Sequence, residues 1–306
     1  MARDKSSTED LPENGRGKHA TSEENPNIRV QTLNAHSPAS PIDKQARRHG
    51  RKRRNLLLWI GSGLIVVALV IFGYLIWRQV SASNTYNNIS DASGIDSEAI
   101  SDPNFSLDTT PIDVNWTALQ RINPDIIAWI FVPGTRLSYP IVQGQDNEFY
   151  LTHTADGAAN SSGAIFLDYQ NSADFSDLST FVYGHNMLGK TMFSEITNYV
   201  DAQFLADHPR IIILTPQKNY ELTVIGAIRC LGTDPVRRVS FNDAQDFAGF
   251  LQVLNGYLVS GNSTKLLQAT NVYCFSTCEL YNVNARIIVI ATDLQRPADT
   301  GNGSSN

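Results

Sequence analysis

Residues 271–292 read NVYCFSTCELYNVNARIIVIAT, two apolar runs rich in β-branched and aromatic side chains, 272–278 and 285–291, divided by a short polar stretch that begins at Glu279. The pattern predicts two strands joined by a short hairpin loop. Cys278 closes the first strand and Arg286 opens the second, eight residues later, so the two fall on adjacent strands at one end of a sheet. The second strand is otherwise apolar on both faces. A guanidinium at its start either points out to solvent or is held for an anion or a carbonyl oxygen.

Outward from this hairpin, short apolar runs broken by turn residues recur at 126–132, 138–143, 164–169, 180–183, 210–215 and 220–229. With the hairpin they make eight strands at uneven spacing. That pattern suggests a mainly β fold, one closed or nearly closed eight-stranded β-barrel, in preference to a parallel sheet with regular crossovers, because closure removes sheet edges. Helices are predicted between the strands. Asn115 can cap WTALQRI ahead of Asn123-Pro124, and Asn242 can cap a helix whose Phe247, Phe250, Leu251, Leu254 and Leu258 form a core-facing stripe. This second helix sits in a long connection, 234–271, before the cysteine strand. A shorter helical segment is expected over 192–207.

The first part of the chain differs chemically. Residues 1–54 hold 12 Lys/Arg and 7 Asp/Glu, whereas the remaining 252 residues hold 12 against 23. Residues 1–46 are polar, with too few apolar side chains to offset the ordering entropy, and are expected to be disordered. Between the two regions lies LLLWIGSGLIVVALVIFGYLIW, residues 56–77, an uncharged run long enough to cross a hydrocarbon core of about 30 Å. It reads as a single transmembrane helix; a buried core helix or a cleaved signal peptide fits less well, given six turns apolar on every face and no small-residue cleavage site beyond Ser81-Ala82-Ser83. The preceding RRHGRKRR, residues 47–54, puts the N-terminus in the cytoplasm by the positive-inside rule and the C-terminal part outside the cell membrane. The expected organisation is a basic cytoplasmic segment (1–54), a membrane helix (55–78), a polar extracellular stalk (79–111), a catalytic domain (112–296) and a disordered tail (297–306). An excess of acidic residues outside argues against nucleic acid as a partner.

Three cysteines occur, Cys230, Cys274 and Cys278, all in the external part. An odd count leaves at least one free thiol or an intermolecular pair. Cys230 suits a small core residue. Cys274 and Cys278 share one face of their strand, about 13 Å apart at about 3.3 Å per residue, too far for a disulfide. His185, in TFVYGHNM, follows an apolar strand and Gly184, which leaves its imidazole at a strand end; His153 and His208 are the other external histidines. A lone turn histidine is more often a surface residue than a catalyst. Together, however, a Cys, a His and an Arg suit acyl transfer: thiolate attack on an amide carbonyl, protonation of the leaving amine, and donors facing the oxyanion. No ligand cluster completes a metal site around Cys274 and Cys278, and no cofactor is called for.

At these residues the external part resembles the sortases, class B in particular. The resemblance rests on five ordered motifs: NPDIIAWIFVPGT (123–135), YPIVQGQDNEFYL (139–151), GAIFLDY (163–169), VYGHNM (182–187) and FSTCELYNVNARIIVIA (275–291). It implies an eight-stranded sortase-type barrel with N-terminal helices and a helix-bearing connection before the cysteine strand. It also implies roles: Cys278 as nucleophile on the bond after Thr in a C-terminal sorting signal, His185 as proton donor, Arg286 as holder of substrate and oxyanion, and Thr277 and the backbone N–H of Glu279 as secondary contributors. The partners implied are surface proteins bearing that signal and an amine of the peptidoglycan precursor. Family members usually have Thr-Leu before the Ser/Ala-Thr-Cys triplet, where this chain has Cys274-Phe275. A pilus-assembling enzyme with a pilin lysine as acceptor, a cysteine hydrolase and a non-catalytic surface binding module are the alternatives.

Overall fold

In the computed structural model, residues 41–187, 189–278 and 284–294 are described. The chain divides into two compact units, 1–65 and 66–306. A long helix, α1 (Pro41–Ser93), contributes to both. Its stretch Asn55–Ser93 is long and apolar enough to cross a membrane, and Leu56, Trp59, Phe72 and Trp77 along it are exposed. The helix starts inside the segment expected to be disordered. Residues 41–54 contain mostly Ala, Gln, Lys and Arg with one interior glycine, a composition with good helix propensity that continues the apolar span. Residues 1–40 and the tail 297–306 lie outside the described residues.

The polar stretch after the span carries more structure than its composition suggested. α1 runs on to Ser93, and its Ala82 and Ile89 are buried. Ile95, Ile100 and Phe105 join Ile89 in a cluster with Leu119, Trp129 and Phe131. Four apolar residues among many polar ones are enough to anchor this segment, each full burial stabilising by about 1.5–3 kcal/mol. Two short helices follow: α2 (Ser97–Ile100), capped by the Asp96 carboxylate, and α3 (Trp116–Ile122), capped by Asn115 as the sequence predicts.

Eight strands close the barrel. In chain order these are β1 (Ile126–Phe131), β2 (Ser138–Val142), β3 (Ile165–Leu167), β4 (Ser179–Tyr183), β5 (Arg210–Leu214), β6 (Asn219–Leu231), then β8 (Val272–Cys278) and β9 (Ala285–Thr292) after a shorter β7 (Leu258–Gly261). The order around the sheet is β5-β1-β2-β3-β4-β8-β9-β6, and β6 pairs back to β5 to close it. β2–β3 and β4–β8 are parallel and the other barrel pairs antiparallel. β7 is an extra strand on the outer edge of β6. It takes up Leu258, which the helical stripe had included. The glycines at the crossing explain the pairing: a Cβ on Gly226 would lie 2.2 Å from Ser260 O, and one on Gly261 2.3 Å from Ile225 O, so two backbones meet where side chains are absent.

Alternation along the strands separates the barrel interior from the clusters packed on its outer face. Ile130, Ile141, Val182, Phe275 and Val289 fill the barrel, whereas Cys274, Ile288 and Ile290 face outward beneath α5 (Ala244–Gly256). Phe247, Phe250, Leu251 and Leu254 of α5 form the covering stripe. Its N-cap is Asp243 and not Asn242, because the Asp243 carboxylate accepts from Asp246 N while Asn242 donates to the Asp246 carboxylate. The segment expected to be one helix over 192–207 is a 3-10 helix, Glu195–Val200, and α4 (Ala202–Asp207), divided at Asp201, whose side chain caps α4. A last short helix, α6 (Ser263–Leu267), leads into β8.

Candidate active site

Three neighbouring chain segments end at one rim of the barrel. β4 and β8 run parallel with Tyr183 opposite Ser276, and Gly184 N donates to Ser276 O at 3.1 Å. His185 lies two residues beyond Tyr183, as Cys278 lies two beyond Ser276. On the other side of β8, Cys278 is the register partner of Arg286 on β9. The backbone alone therefore brings His185, Cys278 and Arg286 to one level on three adjacent chains. Arg286 shares its strand face with Ile288 and Ile290, and Cys278 shares that of Cys274, so both belong to the outward face that α5 covers farther along.

A cavity of about 300 Å³ opens there, lined by His185, Thr277, Arg286, Tyr183, Leu151 and Arg237 among others. His185 is half-buried and its Nε2 is 2.8 Å from Leu151 O. A carbonyl only accepts, so Nε2 carries the proton and Nδ1 is the nitrogen left for chemistry. The ring edge rests on Gly163, whose φ is +61°; a Cβ there would lie 2.9 Å from His185 Cδ2 and 2.7 Å from Tyr150 O. Gly184 is equally constrained, because a Cβ would meet the Phe193 ring at 2.8 Å. Gly232 leaves room for Arg286, with Nη2 3.3 Å from where a Cβ would stand, and Arg286 Nη1 donates to Ala285 O at 3.2 Å.

Thr277 is buried, and its hydroxyl has no hydrogen-bond partner among the described residues although it belongs to the cavity wall. Glu279 lies outside the described residues, and for Cys278 only the backbone is described. The other two thiols are free, and both are buried. Burial, reinforced by the Asp234 charge, pushes Cys230 up to about 11; burial likewise raises Cys274. Both are held as neutral thiols at physiological pH and are poor nucleophiles.

Sequence reasoning missed one wall of the cavity. Asp168, fully buried just after β3, accepts from Tyr183 Oη at 2.8 Å and Asn147 Nδ2 at 3.0 Å and forms a bidentate ion pair with Arg237. Burial pushes the Asp168 carboxyl up, but its hydrogen bonds, that from Arg237 foremost, outweigh burial and hold it below the usual value. A carboxylate ending an apolar strand in GAIFLDY was the available signal. Arg237, in a polar connection, had none.

No family model matches the sequence. Sortase B of Listeria monocytogenes is 28% identical over 228 residues, covering 72% of this chain and 90% of that protein. Sortase B of Staphylococcus aureus is 30% identical over 176 residues, covering 57% of this chain and 72% of that protein. The solved Staphylococcus aureus sortase B–substrate complex superposes with a TM-score of 0.53 at 30% identity, over 57% of this chain and 82% of that one. With the closed barrel, the helix-bearing connection and the shared rim in place, these likenesses show that the chain belongs to the class B sortases, the family of cysteine transpeptidases.

Proposed function

We propose that this sortase cleaves a C-terminal sorting signal after Thr and transfers the protein to an amine of the peptidoglycan precursor. The Cys278 thiolate attacks the Thr carbonyl carbon, forming the C–S bond while the carbonyl electrons move onto oxygen. Arg286 donates to that oxyanion, with the Thr277 hydroxyl and the backbone N–H of Glu279 as further donors. Collapse of the adduct breaks the C–N bond, and His185, which took the Cys278 thiol proton on Nδ1 when the thiolate formed, gives that proton to the departing amine while Nε2 stays bonded to Leu151 O. An incoming amine then attacks the thioester, loses its proton to His185, and releases the thiolate.

The observation that carries this reading is the backbone register that brings residues 185, 278 and 286 to the same end of three neighbouring segments, where His185, Thr277 and Arg286 line a cavity. The neutral state of Cys230 and Cys274 supports Cys278 as the nucleophile. A related sortase B has been solved as a substrate complex. The run of basic residues before the apolar span supports a cytoplasmic N-terminus and an external barrel.

The test is intact mass of the full chain in detergent micelles, incubated with peptides carrying a Thr-Asn or Thr-Gly bond, with and without amine acceptors. The expected result is an acyl adduct on Cys278 and an amine-joined product, both lost in Cys278→Ala and reduced in His185→Ala and Arg286→Ala. A lysine-bearing pilin peptide accepted in place of wall-precursor amines would instead indicate polymerisation, and release by water alone a hydrolase. No adduct from a broad peptide panel on folded, reduced protein overturns the enzyme reading and leaves a surface binding module.

A further inference from the structure

Arg237 lies in the connection between β6 and α5, and one edge of its guanidinium is fully engaged. Nε donates to Asp168 Oδ2 at 2.7 Å and to Tyr183 Oη at 3.0 Å; Nη2 donates to Asp168 Oδ1 at 2.8 Å and to Gln170 Oε1 at 2.8 Å. The other nitrogen, Nη1, makes no hydrogen bond to any described residue. The Asp168 side chain is 0% exposed and that of Arg237 42% exposed, so the anion is sealed in and the cation faces out. What it faces is the cavity that also holds His185, Thr277 and Arg286.

This arrangement does more than fasten a loop. A fork held bidentately by a buried carboxylate has little rotational freedom, so the remaining donors are fixed in direction before any ligand arrives. Such preorganisation lowers the ordering cost of a new hydrogen bond. The charge is already neutralised by Asp168, which favours an uncharged acceptor over a second anion. Arg286, beside Cys278, serves the scissile carbonyl, whereas Arg237 stands on the wall formed with Tyr183 and Asn147.

We propose that Arg237, positioned by Asp168, is a specificity-determining residue whose open guanidinium edge donates to a carbonyl of the donor peptide other than the scissile one. The inference rests on the sorting-signal reading above. Asp168 is then a positioning residue, acting through Arg237.

The test uses the full chain in detergent micelles with fluorogenic donor peptides carrying a Thr-Asn or Thr-Gly bond. Loss of a hydrogen bond from a charged donor predicts that Arg237→Met raises the donor KM about tenfold to a hundredfold, with kcat and the KM of the acceptor amine within about twofold of wild type. Arg237→Lys keeps the charge but loses the fork, and shows the same direction should the Met variant fold poorly. The direct probe is a set of donor peptides in which each backbone amide upstream of Thr, one at a time, becomes an ester, a weaker acceptor. One ester should penalise the wild type and cost the Arg237 variants nothing. Equal ester penalties in wild type and variants, or a lowered melting temperature with unchanged KM, overturn the inference and leave Arg237 a fastening residue. A wild type that no donor acylates overturns the sorting-signal reading itself, a result distinguishable from an active wild type with indifferent variants.

Discussion

Gly163→Ala separates the backbone demand at the barrel rim from the placement of His185. Gly163 has φ +61°, and an added methyl would stand 2.7 Å from Tyr150 O, 2.9 Å from His185 Cδ2 and 3.0 Å from Leu151 O. The left-handed backbone costs an alanine about 1 kcal/mol, and displacing two backbone carbonyls about 1–3 kcal/mol more. At about 2–4 °C per kcal/mol for a domain of this size, the melting temperature should fall by about 5–15 °C. Leu151 O is the group that holds His185 Nε2, so the same methyl presses on the imidazole from its edge and on its anchor. A displacement near 1 Å should lower kcat/KM about a hundredfold. Gly157 supplies the control, because its φ is +81° and a Cβ there would meet nothing within 4 Å. Gly157→Ala should show only the backbone cost, about 1 kcal/mol, with wild-type turnover. Thermal melts and peptide turnover on both variants decide the matter. If Gly163→Ala melts no lower than Gly157→Ala and turns over normally, the contact at Gly163 does not place His185.

Alkylation with iodoacetamide at pH 7.5, followed by peptide mass mapping, should modify Cys278 alone, since Cys230 and Cys274 are buried thiols; modification of either in folded protein contradicts that account. The Asp168 carboxyl sits below its ordinary 3.8 in the folded chain, so its contribution to stability is present above about pH 4 and is lost as pH falls through the folded value. Urea midpoints should therefore drop between pH 5 and pH 2.5 more in wild type than in Asp168→Asn, and parallel losses would disprove the linkage. Leu254→Ala empties a fully buried position in the α5 stripe and should cost about 2–5 kcal/mol, read from the urea midpoint; a loss below about 1 kcal/mol would mean that α5 is not clamped on β8 and β9.

Much of the barrel was legible because strand alternation and turn residues are local signals. All eight barrel strands fall within a few residues of their sequence-based positions, and the spacing in 271–292 set Cys278 and Arg286 on adjacent strands at one end, where the structure makes them register partners. What escaped depends on contacts remote in sequence. β7 exists because Gly226 and Gly261 allow close approach across 35 positions, and a four-residue strand at a helix end carries no periodicity of its own. Arg237 meets Asp168 across 69 positions, so its polar surroundings read as a solvated loop. The segment after the apolar span misled through composition. Ile89, Ile95, Ile100 and Phe105 are too sparse to suggest a core, yet each is buried against the body of the barrel.

The position of the site follows from how the barrel closes. β4 and β8 are distant in sequence and run parallel, so their C-terminal ends reach the same rim; antiparallel pairing would have sent residues 185 and 278 to opposite ends. β9 turns back from that rim, which makes its first residues, Arg286 among them, the neighbours of the last residues of β8. Two parallel ends and one returning start are the least arrangement that gathers three residues from three neighbouring segments at one level. Asp168 follows β3, which is antiparallel to β4, so its backbone pairs with Phe181 and its carboxylate reaches back to Tyr183 Oη, two residues nearer the rim on β4. The wall that Arg237 completes is thus set by the same strand directions as the proposed catalytic residues, and a shift of one residue in the β4–β8 register would misalign all of them together.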